Sequence, residues 1–199
     1  VSARELDALA RGGRHQGAIA LAPDLEVLSQ DDLLEAVDAW SEPSPPLVLV
    51  LDGIMDPQNF GAVVRSAVAL GATFVVWPEH ASAPLSPAMF RASAGAVEHA
   101  KLVRVHALPD LLRELRARAF TVVVLDARGT SPIGYVDIPS SVALVVGAED
   151  RGNRGAVRKE ATALAHLPMS GTIDSLNASV AAALALYEVA RQRAKPTAE

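Results

Sequence analysis

The regular alternation of short apolar runs with longer helical segments is the feature that most constrains how this chain can fold. Each run is rich in branched residues and short, which is typical of a buried strand. The predicted strands are residues 47–51, 73–77, 102–105, 121–125, 142–146 and 164–167. The predicted helices are residues 60–70, 86–96, 109–119, 153–163 and 175–193. Because each crossover returns the chain to start another parallel strand, the alternation predicts an α/β fold, a parallel sheet covered by helices on both faces.

The N-terminal part of the chain does not follow this alternation. Residues 29–40 predict an acidic helix, and residues 18–21 predict a short strand. The prolines within residues 41–46 predict a stiff, extended linker, because proline restricts its own backbone and that of the residue before it. We therefore expect an N-terminal segment with its linker, residues 1–46, and one compact domain, residues 47–199.

Composition excludes several classes of protein. The 199 residues contain no cysteine, which excludes disulfides, thiolate metal sites and cysteine nucleophiles, and fits a cytoplasmic protein. No apolar stretch reaches the roughly 18 residues that a membrane helix needs, so we expect no membrane association. The formal net charge of -5 disfavours a protein that coats nucleic acid and is compatible with local basic patches. The five histidines lack metal-ligand spacing, and we predict no metal site.

The first polar cluster follows the strand at residues 47–51, where ligands of open α/β sheets bind. Asn59 is expected to cap the following helix, and Arg65 lies roughly 9 Å further along the helix axis. A helix cap and a solvated arginine would also explain both residues without any function.

The second polar cluster, residues 147–154, follows the strand at residues 142–146. Its two glycines resemble a phosphate loop, but Asn153 and Arg154 stand where a Walker loop needs Lys and Ser or Thr, and the dinucleotide fingerprint also fails. Glu149 remains beside several arginines, which gives either a small cationic field or ordinary solvated ion pairs.

The third polar cluster, residues 167–179, again joins a strand to a helix. Asp174 and Ser175 are expected helix caps. Ser and Asn side chains alternate there with Met169 and Leu176, and such a mixture suits a pocket for an uncharged or zwitterionic ligand.

Together, the three clusters resemble the three motifs of the SpoU/TrmH family of RNA 2'-O-ribose methyltransferases. The matching stretches are residues 59–65, 146–149 and 168–179, and the similarity extends from about residue 15 to residue 193. It is greatest to the large-subunit rRNA guanosine enzymes. Members of that branch carry a small N-terminal RNA-binding domain, and nothing similar precedes residue 14, so we expect that domain to be missing from this chain.

The resemblance implies a C-terminal trefoil knot, a homodimer and S-adenosylmethionine as the methyl donor. The implied donor-binding residues are Gly147, Leu167, Met169, Leu176, Leu125 and Ala127. The implied catalytic residues are Arg65, Asn59, Glu149, Ser175 and Asn177. The expected RNA-binding residues are Arg65, Arg91, Arg151 and Arg154.

The chemistry that the resemblance implies needs no metal. The donor sulfonium makes its methyl group electrophilic, so the protein must align a ribose 2'-hydroxyl and help to remove its proton. Because guanidinium groups stay protonated up to about pH 12, we rank phosphate clamping by Arg65 ahead of proton abstraction. Glu149 would orient Arg65, while Asn59, Ser175 and Asn177 would fix the loops near the reacting ribose.

Three alternatives remain open at this point. A tRNA 2'-O-ribose methyltransferase would share the same motifs. A non-catalytic RNA-binding or ribosome-assembly module would keep the fold without binding the donor. A nucleotide-binding regulator is disfavoured by the failed phosphate-loop pattern. The long apolar surface of residues 175–193 independently favours a dimer.

Overall fold

The computed structural model describes residues 1–10, 12–13, 15–19, 23–138, 140–148, 152–171 and 175–194. Its centre is a seven-stranded sheet in which every pair of neighbouring strands is parallel. The strands are β1 (Leu47–Asp52), β2 (Phe74–Pro78), β3 (Lys101–Val105), β4 (Thr121–Leu125), β5 (Ser131–Pro132), β6 (Val142–Gly147) and β7 (Ala163–His166). Their order across the sheet is β3-β2-β1-β6-β4-β7-β5. The sixth strand therefore lies in the middle, between β1 and β4.

Seven α-helices are found in the described ranges. They are α1 (Ala3–Ala10), α2 (Gln30–Asp38), α3 (Pro57–Ala69), α4 (Pro87–Ser93), α5 (Leu108–Ala117), α6 (Gly155–Lys159) and α7 (Ala178–Arg193). Short 3-10 helices occupy Ala96–His99 and Ile133–Tyr135.

The two faces of the sheet bury two separate apolar cores. Along β1 the side chains alternate, so that Leu47, Leu49 and Leu51 face one core while Val48 and Val50 face the other. The first core is covered by α3, α4 and α7. The second core is covered by α2, α5 and α6. A parallel sheet buried on both faces gives strands that are apolar throughout, as β1 is.

The prediction of an α/β fold with helices on both faces of a parallel sheet is confirmed. The predicted strands agree with β1 to β4, β6 and β7 to within one residue at either end. The two-residue strand β5 and the helix α1 were not predicted. The predicted strand at residues 18–21 was wrong for Ala18 and Ile19, which form no strand, and its remaining residues lie outside the described ranges.

In the segment before β1, helix α2 packs against the second core, while Leu25 and Val27 pack against the first. Ser29 caps α2 through a reciprocal capping box with Asp32, and Leu33 is fully buried beneath it. Leu28 exchanges hydrogen bonds with the main chain of β3, Leu28 N to Leu102 O at 2.8 Å and Arg104 N to Leu28 O at 3.0 Å. These bonds cover part of an otherwise open sheet edge. In the described ranges, no helix is both long and apolar enough to cross a bilayer.

Candidate functional site

The three polar clusters follow β1, β6 and β7, whose carboxyl ends lie at the same edge of the parallel sheet. With β4 between β6 and β7, these strands are neighbours in the order β1-β6-β4-β7 although they are distant in the sequence. The strand order changes direction here, which is where open α/β sheets place their ligand crevice. Two cavities lie at this edge.

The first cavity has a volume of about 500 Å³. Its lining contains all six residues assigned from the sequence to the methyl donor: Leu125, Ala127, Gly147, Leu167, Met169 and Leu176. Ser175, one of the implied catalytic residues, lines the same cavity. The structure therefore brings together residues that span 52 positions of the sequence, from Leu125 to Leu176.

Gly147 gives this cavity its depth. A Cβ atom at position 147 would lie 2.5 Å from the carbonyl carbon of Gly152 and 2.6 Å from the backbone nitrogen of Asn153. Only glycine permits this approach between the end of β6 and the segment that precedes α6. Any larger residue would push one wall of the cavity outward.

Asn153 is a wall residue whose role was missed from the sequence. Its side chain is buried, and its Nδ2 donates a 2.6 Å hydrogen bond to the carbonyl oxygen of Leu125. The bond joins the walls that follow β6 and β4. The Oδ1 atom of Asn153 is buried and has no hydrogen-bond partner among the described residues, an arrangement that costs free energy. Nothing in the sequence placed Asn153 against Leu125, because the contact depends on the strand order.

Asp126 and Arg158 form a second missed feature of the first cavity. Arg158 Nε lies 3.1 Å from Asp126 Oδ2, and the carboxylate is largely buried. Asp126 Oδ1 also accepts the backbone N–H of Arg128 at 2.8 Å. This ion pair supplies charged groups to a lining that is otherwise largely apolar or neutral.

The second cavity, also about 500 Å³, lies beside the first. It is lined by Asp52, Gly53, Ile54, Met55, Asp56, Asn59, Ala81, Ala148, Gly152, Arg154 and Ala178. Its apolar surface includes Met55, whose side chain is unusually exposed for a large hydrophobic residue.

The two cavities share a wall of very small residues. Ala148, Gly152 and Ala178 line both. No side chain larger than a methyl group belongs to this shared set of described residues. A group bound in one cavity can therefore approach a group bound in the other.

The amino ends of α3 and α7 meet at the second cavity. Asn177 Nδ2 donates a 3.0 Å hydrogen bond to Asn59 Oδ1, which joins two residues 118 positions apart. The implied catalytic residues Asn59 and Asn177 are thus in direct contact. Helix amino ends carry partial positive charge and favour anionic ligands such as phosphate.

The expected helix caps Asn59 and Ser175 were wrong. Asp56 caps α3 by accepting the backbone N–H groups of Gln58 and Asn59, so that Asn59 lies inside the helix and its side chain is available to Asn177. Asn177 caps α7 by accepting the N–H of Ser179, and Ser175 precedes the helix. Asp174 lies outside the described residues.

Arg65 lies apart from both cavities. It is exposed on α3, and it makes no hydrogen bond or ion pair with the described part of the chain. A separation of six residues corresponds to about 120° around an α-helix, so Asn59 and Arg65 leave α3 in different directions. The structure brings Asn59 into the second cavity and leaves Arg65 at the surface.

The other expected RNA-binding residues have different surroundings. Arg91 is exposed on α4. Arg154 lines the second cavity and is bound to Asp52. Arg151 and the expected catalytic residue Glu149 lie outside the described residues. Among the residues that are described, no group of three or more histidine, aspartate or glutamate side chains is arranged to hold a metal ion.

Comparison of the sequence with protein families and relatives gives a consistent result. A family model described as the SpoU rRNA Methylase family matches residues 46–187. An "Uncharacterized tRNA/rRNA methyltransferase" of Mycolicibacterium vanbaalenii is 38% identical over 97% of this chain and 61% of its own length. The "23S rRNA (guanosine-2'-O-)-methyltransferase RlmB" of Bordetella pertussis is also 38% identical, over 97% of this chain and 77% of its own length. The chain thus spans about three fifths of the first relative and three quarters of the second.

Solved structures share the fold. The SpoU methyltransferase AviRb of Streptomyces viridochromogenes, in complex with AdoMet, superimposes with a TM-score of 0.71 and 30% identity, over 79% of this chain and 64% of that one. An AdoMet-bound rRNA methyltransferase of Sinorhizobium meliloti gives a TM-score of 0.77 and 25% identity, over 98% of this chain and 72% of that one.

Proposed function

The chain belongs to the SpoU rRNA methylase family, and we propose that it transfers a methyl group from S-adenosylmethionine to a ribose 2'-hydroxyl of RNA, in a guanosine of 23S rRNA. The observation that carries this proposal is the pair of cavities that share a wall of Ala148, Gly152 and Ala178. Methyl transfer requires the reacting atoms to approach within about 3–3.5 Å in line. A wall of small residues permits that approach.

The first cavity fits the methyl donor. Its volume of about 500 Å³ is within the range of small-molecule sites. Leu125, Leu167 and Leu176 offer apolar surface for a purine, and the Asp126–Arg158 pair offers charged groups to polar parts of the ligand. The two AdoMet-bound structural neighbours support the assignment. When bound, the donor supplies an electrophilic methyl group, and the protein needs no metal for this chemistry.

The second cavity would hold the target nucleotide. Met55 and Ile54 provide apolar surface for the base. The contact between Asn59 and Asn177 fixes the amino ends of α3 and α7 beside the ribose. Ser175, in the lining of the first cavity, is placed to orient the donor. These roles follow from position in the lining.

Arg65 would act on the RNA backbone. An exposed guanidinium without a partner in the described part of the chain is available to a phosphate, and it stays protonated at neutral pH. We propose that Arg65 clamps a phosphate beside the target ribose, and that Glu149 orients it. Arg91 and Arg151 would extend the contact along the RNA.

A homodimer and a C-terminal trefoil knot belong to the same proposal. Val180, Leu184 and Tyr187 form an exposed row along α7, at spacings of four and three residues, and a second copy of the chain would cover it. The proposal of a knot draws on the position of β6 between β1 and β4, and on Leu167 and Met169, which follow β7 and line the first cavity.

The proposed domain and cellular assignments follow the family. We assign residues 47–199 to the catalytic domain and residues 1–46 to a segment and linker that precede it, and the match to residues 46–187 supports this boundary. We also propose a cytoplasmic location, where the proposed substrate is found; the relative of Bordetella pertussis is named for 23S rRNA.

The test is methyl transfer with a donor carrying a labelled methyl group. The protein is incubated with unmodified 23S rRNA, and the product is mapped by the resistance of 2'-O-methylated ribose to alkaline cleavage. We expect one labelled guanosine, with no label when that nucleotide carries 2'-deoxyribose. Label on a base, or binding of RNA without transfer by a folded protein that binds the donor, would contradict the proposal. RNA binding without donor binding would favour a non-catalytic module.

A tRNA substrate is the second candidate, because the relative from Mycolicibacterium vanbaalenii is named for tRNA and rRNA together. The same assay with a tRNA pool separates the two. Transfer to tRNA at a higher kcat/KM than to rRNA would assign the enzyme to tRNA.

A further inference from the structure

A buried carboxylate at the second cavity has no role in the function proposed above. Asp52, the last residue of β1, is only 1% exposed. Its main-chain oxygen accepts the N–H of Ala148 at 3.1 Å. Its carboxylate accepts the N–H of Arg154 at 2.7 Å through Oδ2 and the Nε–H of Arg154 at 2.6 Å through Oδ1. Asp52 is therefore hydrogen-bonded both to Ala148, after β6, and to Arg154, before α6.

The arginine of this ion pair, unlike the carboxylate, is exposed. The side chain of Arg154 is 51% exposed and lines the second cavity. Its Nε is bound to Asp52, while its terminal nitrogens make no hydrogen bond with the part of the chain that the structure describes. The carboxylate thus fixes one edge of the guanidinium plane and leaves the other edge open to the cavity. A guanidinium fixed in this way is suited to a bidentate bond with a phosphate.

Stability alone is a weak reason for this arrangement. Burying a carboxylate costs several kcal/mol of desolvation, and apolar replacements of buried ion pairs are often neutral or stabilising. The N–H of Arg154 could be satisfied by an uncharged side chain at position 52. The need to fix the direction of the guanidinium accounts better for a fully buried carboxylate opposite a half-exposed arginine.

We propose that Asp52 is a positioning residue, which orients Arg154 so that its open edge binds an RNA phosphate next to the nucleotide in the second cavity. This inference rests on the proposed function. It adds a residue that acts only through Arg154, and it gives Arg154 a single phosphate contact at the second cavity.

The test measures the KM for RNA and the donor affinity at several salt concentrations. We expect Arg154→Gln to raise the KM for RNA roughly tenfold. Loss of one phosphate contact should also lower the slope of log KM against log salt by about 0.7–0.9. Arg154→Lys keeps the charge without the fork, and we expect an intermediate KM. The affinity for S-adenosylhomocysteine should change less than twofold in each variant.

The variant Asp52→Asn distinguishes a positioning role of Asp52 from a purely electrostatic one. The substitution removes a negative charge near the RNA, so a purely coulombic role predicts a lower KM. Positioning predicts a higher KM, because Arg154 loses its fixed direction. The double variant Asp52→Asn, Arg154→Gln should match Arg154→Gln alone, since Asp52 acts through Arg154.

Two control variants separate phosphate binding by Arg154 from a general loss of charge or of stability. Arg113→Gln removes an exposed, ion-paired arginine of α5, remote from both cavities, and should leave the KM and its salt dependence unchanged. Leu111→Ala lowers stability in the second core and should leave the KM unchanged below its unfolding transition. An unchanged salt slope in Arg154→Gln, a lower KM in Asp52→Asn, or a parallel loss of donor affinity would overturn the inference. An inactive wild-type protein would overturn the proposed function, and this inference with it.

Discussion

The two helical layers, one on each face of the sheet, differ in how many of their arginines are paired with carboxylates. In the layer of α2, α5 and α6, the arginines are paired with carboxylates: Arg113 and Arg116 with Glu160, Arg118 with Asp38 and Glu114, and Arg158 with Asp126. Hydrogen bonds that Arg118 donates to Asp38 and Glu114 raise the pKa of Arg118 above its usual value. In the layer of α3, α4 and α7, Arg65 and Arg91 have no such partner in the described ranges, whereas Arg191 of α7 is paired with Glu188.

We infer from this difference that the layer of α2, α5 and α6 serves as the structural scaffold, while the opposite layer contributes to the proposed function. Both layers cover the same sheet with well-buried apolar residues. One layer pairs its arginines with carboxylates, while the other exposes Arg65 and Arg91 and carries an exposed apolar row on α7. In a chain of net charge -5, these two arginines would supply local positive charge for the proposed binding of RNA.

The strongest test of this comparison removes one arginine from each layer. We expect Arg65→Ala to lower kcat by about 10²–10³-fold, because it removes the guanidinium proposed to clamp the RNA phosphate next to the target nucleotide. Donor affinity and thermal stability should be unchanged. The matched change Arg113→Ala should leave kcat within twofold. Near-normal turnover in Arg65→Ala would remove Arg65 from its proposed role.

A core substitution in the layer of α2, α5 and α6 should lower stability and leave the site of the folded protein intact. Leu111 of α5 is fully buried, so Leu111→Ala should lower the free energy of unfolding by about 2–5 kcal/mol. The folded fraction should still bind S-adenosylhomocysteine with normal affinity. Denaturant unfolding and calorimetry measure the two quantities. Loss of donor binding at full folding would mean that the α5 layer also shapes the site.

The hydrogen bond from Asn153 to Leu125 should affect both stability and donor affinity. Asn153→Asp replaces the amide N–H that bonds the Leu125 carbonyl oxygen with a buried carboxylate oxygen, which cannot donate. The change should lower the free energy of unfolding by about 1–3 kcal/mol. We also expect donor affinity to fall about tenfold, since the cavity wall moves. Asn59→Asp, in the second cavity, should leave donor affinity unchanged. Equal donor affinities in wild type and Asn153→Asp would show that the bond does not shape the first cavity.

The apolar row on α7 gives a test of assembly. Leu184→Glu should convert the expected dimer into a monomer, as measured by light scattering, because it puts a charge into a covered apolar face. Ala117→Glu, at the carboxyl end of α5, should not change the mass. A wild-type protein that is monomeric at assay concentrations would contradict the dimer.

The smallest effect is expected for the paired surface arginines. Arg118→Gln breaks the ion pairs to Asp38 and Glu114, and exposed pairs of this kind contribute roughly 0.2–1 kcal/mol. Methyl transfer should be unaffected. A change in KM for RNA would mean that the scaffold layer also contacts the substrate.

The sequence predicted the sheet more reliably than the site. Apolar runs such as residues 121–125 are bounded by local composition, so strand positions were predicted to within a residue. The two-residue strand β5 is too short to leave a pattern. The six donor residues were grouped through the family resemblance, and the structure places them in one cavity.

Contacts between distant segments could not be read from the sequence. The bond from Asp52 to Arg154 spans 102 positions, and that from Asn177 to Asn59 spans 118. The first bond depends on β6 lying next to β1, and the second depends on α7 packing against α3. The caps were mistaken for a related reason: Ser175 and Asn59 are plausible caps locally, but tertiary contacts decide where each helix begins. The exposed direction of Arg65 likewise follows from which side of α3 is buried.

The most direct test of the central claim is calorimetric titration of the protein with S-adenosylmethionine and S-adenosylhomocysteine, with ATP and NAD as controls. We predict one saturable site per chain for the first two ligands. The site should be lost in Gly147→Val, whose side chain would displace the cavity wall, and retained in Arg65→Ala. Absence of binding by the folded wild-type protein, or binding that survives in Gly147→Val, would contradict the assignment of the first cavity to the methyl donor.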